Sequence, residues 1–515
     1  MKEKALREYR ELLKNAGLLR GERIAGWEER PVRGLASSLW EAVRDGMFLC
    51  NGSAFREEAL AGAAERGCFC YVSETPYQAG QGMAFLRVRD IAQAEALLAS
   101  AFYDAAKLPV KITGITGTNG KTTAAHYLRS ILDAWERQKG GRPTGILSSM
   151  ETFDGRESGS FQTVSEPAKL YRRLNRSGET GQEYMTVELS ERMLKSYRAC
   201  GIPCDVGILL NIAEDSAHFE GHESFEESLR TVSAVFRNAK TACVNLDTEH
   251  RRQVLAAAGS AERIVTFGTT GAPDIWGHAI HMENGKVTFR ARCDRFHEKF
   301  TLAMPGFFNV ENALAAIAAA YAYEIPVSCI REGLALATVS GRMEEYESSD
   351  RKLHVIVDCA QNRLSLERLF DDVCLRFPGW RIAAVFGCPG DRGKNLRREL
   401  GLVAGLFAQK LYITAENPGM EPVERISGEI RHYAEMVGCP CACIRDRAEA
   451  VNQAVAEAEE RTVVLVLGKG NAGRQRFGAA DWEYPADAAL VCRALDWYAS
   501  CQRIPSGAKI AVGKT

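Results

Sequence analysis

The chain has 515 residues, of which 46% are hydrophobic, 25% charged and 8% aromatic. That length is too great for one compact core and points to about three or four domains, while the composition excludes a disordered or fibrous chain. Lys plus Arg (65) nearly cancels Asp plus Glu (66), so no net field draws the chain to nucleic acid or an anionic membrane, and any anion must be held by a local site.

The opening MKEKALREYR has no apolar signal segment. Sixteen cysteines in so long a chain suit a reducing cytoplasm. No C-x-x-C pair begins a zinc site, and Cys439, Cys441 and Cys443 alternate at strand spacing. No apolar run reaches the roughly 18 residues of a membrane span, and no fixed-period repeat is present.

In chain order, short apolar runs at Met47 to Cys50 and Cys68 to Val72, with a helical pattern from Ile91 to Tyr103, predict a small α/β domain over 1–108. From Pro109 an extended run, Val110 to Ile115, enters a Gly-rich loop, and a helix-forming stretch from Thr122 to Gln138 leaves it. Further β-branched runs at Tyr184 to Val187, Val206 to Leu210, Ala242 to Val244 and Ile264 to Phe267 are separated by helix-length segments. Together they predict a central domain with a mainly parallel sheet over 109–339. The alternation restarts with His354 to Val357, Ala383 to Phe386, Leu411 to Thr414 and Val463 to Leu467, which predicts a doubly wound, Rossmann-like domain over 340–515. Ligands of such sheets sit beyond the carboxyl ends of the strands, so the residues just after each run are the candidates for chemistry.

The strongest of these is Gly114-Ile115-Thr116-Gly117-Thr118-Asn119-Gly120-Lys121-Thr122-Thr123, between predicted strand and predicted helix. Glycines at a spacing of three let backbone N–H groups turn onto a triphosphate, and the helix N-terminus adds its positive end. Lys121 would reach the β and γ phosphates and the Thr122 hydroxyl would ligate Mg²⁺. The loop, Gly117 to Thr123, is therefore read as an ATP site, although Ile115 stands where the common phosphate loop has its first glycine.

This G-x-x-G-T-N-G-K-T-T loop resembles the Mur ligase family, and motifs in the same order carry the resemblance over nearly the whole chain. It implies a nucleotide-sugar domain, a central ATPase and a C-terminal domain for the incoming amino acid, with the MurE type as the nearest branch. Glu188, in Val187-Glu188-Leu189-Ser190, matches the family's E-x-S, whose Glu binds a second Mg²⁺ and whose Ser190 lies on the substrate side. His218, in Asn211 to His218, stands near the family's metal-region His, with His222 as its competitor. Asn309 and Asn312 match the adenine-side helix start, where helix capping is the plain alternative. Arg342, in Gly341-Arg342-Met343-Glu344, matches the G-R-x-E that contacts nucleotide phosphates. Asp358 sits where D-Y-A-H binds ribose, and Lys394 falls in the G-G-D-R-x-x-x-K region. Gly468-Lys469-Gly470 matches G-K-G.

The departures from the family pattern are also specific. By alignment from His222, Val232 stands where the family has a lysine that becomes carbamylated and bridges Mg²⁺. Either a neighbour such as Glu226 or Glu227 supplies the charge, or metal binding is weaker, or the activity is altered. Cys359 and Gln361 replace the Tyr and His of D-Y-A-H, and Leu39-Trp40-Glu41 stands where D-S-R is expected for uridine. The T-T-P-E of the muramoyl site reads Thr163-Val164-Ser165-Glu166. The D-N-P-R that grips meso-diaminopimelate reads Glu416-Asn417-Pro418-Gly419, and a glycine cannot form the bidentate pair an arginine makes with a carboxylate. G-K-G-H-E becomes Gly468-Lys469-Gly470-Asn471-Ala472.

The resemblance implies an ATP- and Mg²⁺-dependent ligase that phosphorylates a UDP-muramoyl peptide carboxylate and joins an amino acid to it, with Lys121, Glu188, His218 and Arg342 neutralising charge. Two other readings are carried beside it: a paralogue that uses a different carboxylate, and a non-catalytic nucleotide-binding relative. A monomer with small-molecule partners is expected.

Overall fold

The computed structural model describes residues 3–51, 55–159, 167–196, 201–212, 224–390 and 394–502. Its first sheet is formed by β1 (Leu19–Arg23), β2 (Gly34–Ala36), β3 (Gly46–Leu49), β4 (Cys70–Ser73) and β5 (Ala84–Val88) in the order β1-β5-β4-β3-β2. Only the β1–β5 pair is antiparallel. Helices α1 (Leu6–Asn15), α2 (Glu57–Glu65) and α3 (Ile91–Phe102) cover it. On α1, Leu6, Tyr9 and Leu13 recur at three and four residues, which gives the helix one apolar face, and all three are buried.

An eleven-stranded mixed sheet follows. Its elements are β6 (Lys111–Thr116), α4 (Lys121–Lys139), β7 (Gly145–Leu147), β8 (Thr152–Phe153), β9 (Ser158–Gly159), α5 (Pro167–Glu179), β10 (Tyr184–Glu188), α6 (Glu191–Lys195), β11 (Cys204–Leu209), α7 (Phe225–Val232), β12 (Ala239–Asn245), α8 (Arg251–Ala258), β13 (Arg263–Gly268), β14 (Ile275–Glu283), β15 (Lys286–Arg292), β16 (His297–Thr301), α9 (Asn309–Ala322) and α10 (Val327–Leu336). The strand order is β9-β8-β7-β10-β6-β11-β12-β13-β14-β15-β16. The neighbouring strands β7, β10, β6, β11, β12 and β13 run parallel, with β14 joining them at its first two residues, and the apolar runs of the central ones reflect burial on both faces. The antiparallel margin β14 to β16 is not among the elements read from sequence. Helix α9 is so rich in alanine that it lies close to α4 and the sheet at once, and it is buried on almost every side.

The last part of the chain comprises β17 (Glu344–Glu347), β18 (Leu353–Asp358), α11 (Arg363–Arg376), β19 (Arg381–Phe386), α12 (Lys394–Phe407), β20 (Lys410–Ile413), α13 (Val423–Met436), β21 (Cys441–Cys443), α14 (Arg447–Ala456), β22 (Thr462–Leu467), the separate hairpin β23 (Arg474–Phe477) and β24 (Ala480–Glu483), and α15 (Asp487–Gln502). The order is β17-β18-β22-β19-β20-β21, parallel except for β17. Separate apolar clusters fill its two faces, one under α11, α12 and α13, the other under α14 and α15. It is a doubly wound sheet, as the alternation of runs predicts. Among the described residues, no helix is long and apolar enough to cross a membrane.

Candidate active site

The carboxyl ends of β6, β10 and β11 lie side by side, because Leu209 pairs with Thr116 and Glu188 with Ile115 in parallel register. From β6 the chain turns into the loop at Gly117, whose φ is +138°, and it enters α4 through Gly120 at +86°. Both values lie in territory that glycine reaches without strain. A Cβ on Gly117 would stand 2.9 Å from the Asn211 carbonyl oxygen, and one on Gly120 would stand 2.0 Å from Asn312 Oδ1. Only glycine fits at either point.

Asn211, just past β11, clamps the loop. Its carbonyl accepts from Thr118 N at 3.0 Å, its Oδ1 accepts from Asn119 N at 2.9 Å, and its Nδ2 donates to the Asn119 carbonyl at 3.2 Å. The Lys121 ammonium folds over the loop mouth, donating to the carbonyls of Gly117 at 2.6 Å and Thr118 at 3.0 Å. Thr122, buried on the first turn of α4, donates its hydroxyl to Glu188 Oε2 at 3.0 Å. The Ser149 hydroxyl lies 2.9 Å from that of Thr122, and Ser149 N donates to the same Glu188 oxygen at 2.9 Å.

The last sheet closes the site from the other side. Asp358, at the end of β18, accepts from Met343 N at 2.9 Å and from Ala360 N at 2.8 Å, which ties the turn carrying Arg342 to the strand end. Burial pushes the Asp358 pKa up, while Arg342 and these N–H groups pull it down. Asn362 begins α11, its Oδ1 accepting from Ser365 N at 2.9 Å. Arg368 on α11 pairs with Glu311 on α9 at 3.2 Å.

Between the two sheets lies a cavity of about 530 Å³. The loop residues Gly117 to Thr123, with Glu188, Ser190, Asn309, Asn312, Arg342 and Asp358, all line it. So the structure brings together every described residue placed on the nucleotide side by the sequence. Helix capping is not what Asn309 does, since its Nδ2 donates to the Pro305 carbonyl at 2.6 Å, and Asn312 Nδ2 donates to Asn309 Oδ1 at 3.0 Å. Ser190 does cap α6, accepting from Met193 N at 3.3 Å. His218, His222 and Thr163 lie outside the described residues, as do positions 391–393 before Lys394.

Glu416, Asn417, Gly468 and Lys469 form a separate cluster at the ends of β20 and β22. A Cβ on Gly468 would stand 2.1 Å from Glu416 Oε2. Glu416 and Lys469 are both buried, and Glu416 Oε2 and Lys469 Nζ have no hydrogen-bond partner among the described residues. Burial raises the Glu416 pKa to about 7, and burial with Arg447 nearby lowers that of Lys469 to about 8. Asn417 Oδ1 accepts from Arg476 N at 2.9 Å, so the hairpin β23–β24 holds this corner.

Sequence reasoning assigned no role to Ser149, Asn211, Glu191 or Asn362, all of which line the cavity. The signal for Glu191 was its place directly after Ser190.

Residues 115–320 match the Mur ligase middle domain, and residues 341–470 match the Mur ligase glutamate ligase domain. A UDP-N-acetylmuramyl-tripeptide synthetase of Lactobacillus delbrueckii subsp. bulgaricus is 30% identical over 502 residues, covering 93% of this chain and 96% of its own. The chain belongs to the Mur ligase family. An Enterococcus faecalis relative of this Mur ligase, named UDP-N-acetylmuramoyl-L-alanyl-D-glutamate--L-lysine ligase, is 30% identical over 473 residues, covering 90% and 91% of the two chains. The structure of a UDP-N-acetylmuramoyl-L-alanyl-D-glutamate--2,6-diaminopimelate ligase superposes with a TM-score of 0.62 at 21% identity, over 96% of this chain and 99% of that one. The MurF ligase of Thermotoga maritima in complex with ADP gives 0.62 at 17% identity, over 92% and 99%. These two likenesses establish the fold.

Proposed function

We propose that this Mur ligase uses ATP to join an amino acid to the carboxylate of a UDP-N-acetylmuramoyl peptide through an acyl phosphate. The observation that carries this reading is the convergence on one cavity of a phosphate loop, a carboxylate with two hydroxyls beside it, and an arginine on the turn that leads into the last sheet. Relatives alike over nearly the whole length bear the names of that reaction. Divided near residues 109 and 340, the chain would hold the sugar nucleotide in its first part, ATP in its second and the amino acid in its third. The proposed partners are small molecules, and the proposed setting is a cytoplasmic monomer.

The donor set at the loop's lip fits Mg²⁺. Two hydroxyls, Thr122 and Ser149, stand with the Glu188 carboxylate, and Mg²⁺ takes one or two carboxylates together with phosphate oxygens. Bound there, it supplies neutralisation of the phosphate charge. The sequence adds His218 to this set.

The protein's own groups do the positioning. Backbone N–H groups from Gly117 to Lys121 cradle the phosphates at the N-terminus of α4, and Lys121 reaches the β and γ oxygens. Arg342 meets the transferred phosphoryl group as the substrate carboxylate attacks it, and ADP leaves. The amine then attacks the acyl carbon, losing a proton as inorganic phosphate departs and the amide forms. Asp358 faces the ribose, and Asn309 and Asn312 the adenine side. The close fit of the two sheets keeps water from the acyl phosphate. Glu416, Asn417, Gly468 and Lys469 hold the incoming amino acid. With Gly419 in place of an arginine, that residue is not meso-diaminopimelate.

A second reading, ligation to a different carboxylate, is favoured by one observation. Leu39–Glu41 forms a short 3-10 helix with Trp40 at 86% exposure and Glu41 paired to Arg172 at 3.0 Å, where a uridine contact was expected.

The test is ADP formation from ATP and Mg²⁺ with UDP-N-acetylmuramoyl dipeptide and an amino acid. Turnover requiring both, and lost in Lys121→Ala, is expected. ATP consumption indifferent to the dipeptide would overturn the reading in favour of another carboxylate.

A further inference from the structure

Helix α4 does more than follow the phosphate loop. Thr122, His126, Arg129 and Asp133 recur along it at steps of four, three and four, which places them on one face. Each of the four engages the segment that runs through β7. Asp133 accepts from Thr144 N at 2.6 Å just before the strand, and Arg129 Nη1 pairs with Glu151 at 2.7 Å in the turn after it. His126 Nε2 lies 3.3 Å from the Ser148 hydroxyl, and the Thr122 hydroxyl lies 2.9 Å from that of Ser149. The same helix face therefore meets the turn 148–151 at three points.

Within that turn the Ser148 hydroxyl is fully used. It is buried, donates to the Glu151 carbonyl at 3.1 Å and accepts from Glu151 N at 3.1 Å. A hydroxyl offers one proton and two acceptor positions, so the remaining position takes a donor, and the His126 ring carries its proton on Nε2. Burial lowers the His126 pKa below its ordinary 6.5, with Glu151 and Glu188 opposing, which keeps the ring neutral near pH 7. A neutral imidazole has one N–H, and Ser148 receives it.

What the turn presents is Ser149. Its N–H donates to Glu188 Oε2 at 2.9 Å, its hydroxyl meets that of Thr122, and it lines the nucleotide cavity. Ser149 is itself exposed, so its place is set by the residues that tie down the backbone on either side, Ser148 and Glu151. His126 stands one helical turn behind Thr122, outside the lining of the cavity.

We infer that His126 is a positioning residue of this Mur ligase, its Nε2–H holding the Ser148 hydroxyl so that Ser149 is set against Glu188 and Thr122 beside the phosphates. This rests on the ligase reading above and adds to it a residue that acts on the cation and phosphate position through another side chain.

The test is calorimetric binding of a non-hydrolysable ATP analogue to the whole chain, with and without Mg²⁺. His126→Leu removes the donor, His126→Gln returns an N–H donor, and Ser148→Ala removes the acceptor. Groups that orient ligands from behind are worth about tenfold to a hundredfold. His126→Leu and Ser148→Ala should therefore each bind the Mg²⁺ complex about tenfold more weakly, His126→Gln should recover most of the loss, and the double variant should bind no more weakly than Ser148→Ala. The analogue without Mg²⁺ should bind all of them alike. Wild-type affinity in His126→Leu, or losses that add in the double variant, would overturn the proposal and leave the ligase reading standing. So would a loss equally large without Mg²⁺, which would make His126 a packing residue of α4. No binding of the analogue by the wild-type chain would overturn the ligase reading and the proposal together.

Discussion

Asn119 of the phosphate loop and Asn362 at the start of α11 exchange side-chain amides across the cavity. Asn362 Nδ2 donates to Asn119 Oδ1 at 2.9 Å and Asn119 Nδ2 to Asn362 Oδ1 at 3.3 Å, between residues 243 apart in sequence. Because Asn211 fixes the Asn119 backbone, three asparagines link a strand end of the central sheet, the loop and a helix of the last sheet. Asn362 does this while capping α11, and the two tasks can be separated. Asn362→Ser keeps a capping oxygen and loses the amide. We expect kcat/KM for ATP to fall about tenfold, near the worth of one or two hydrogen bonds, with thermal stability unchanged. Wild-type kinetics in Asn362→Ser would show that the pair does no positioning.

Gly120→Ala places a methyl 2.0 Å from Asn312 Oδ1 on a residue at φ +86°. Left-handed strain costs on the order of 1–3 kcal/mol, so ATP affinity should fall about tenfold to a hundredfold by calorimetry. Adding Asn312→Ala removes the clash and leaves the strain, and should restore part of the loss. No recovery would mean that the Asn312 amide is itself needed by the nucleotide.

Glu416 gives the last domain a pH signature. Its pKa rises from the ordinary 4.5 to about 7 through burial, so the folded chain holds this proton more tightly than the unfolded chain. The stability it confers is complete below about pH 4.5 and is lost as pH rises toward 7. Glu416→Gln cannot ionise and should therefore gain on wild type by about 3 kcal/mol across that window. Denaturant unfolding at several pH values checks it, and a difference independent of pH would contradict it.

Arg447 and Asp487 are both fully buried and joined by two hydrogen bonds of 2.7 Å, with a further bond from Arg447 to the Leu467 carbonyl at 2.8 Å. Arg447→Met strands the carboxylate and should cost about 3–5 kcal/mol, and adding Asp487→Leu should return much of it. The melting temperature of the single and double variants reads this directly. A mild single substitution would show that water reaches the pair.

The parallel strands are legible in sequence because a strand buried on both faces must be a continuous apolar run, as Val463 to Leu467 is. The margin from β14 to β16 is not, because its apolar residues alternate, as Val287, Phe289 and Ala291 do, with polar and charged residues and histidines. Gly117 to Thr123 announce themselves by spacing. Ser149, Asn211 and Asn362 are single polar residues after strands or before a helix, with no spacing of their own. Only the sheet order brings them to one cavity.

The central claim is amide-bond formation, and the product's mass tests it most directly. Purified chain should be incubated with ATP, Mg²⁺, UDP-N-acetylmuramoyl dipeptide and each common amino acid and meso-diaminopimelate in turn, with phosphate release followed in parallel. The account predicts a product heavier by one amino-acid residue, one phosphate released for each, and an amino acid other than meso-diaminopimelate as best substrate. Retained ATP binding with no mass gain for any amino acid would contradict it, and meso-diaminopimelate as the best substrate would contradict the reading of Gly419.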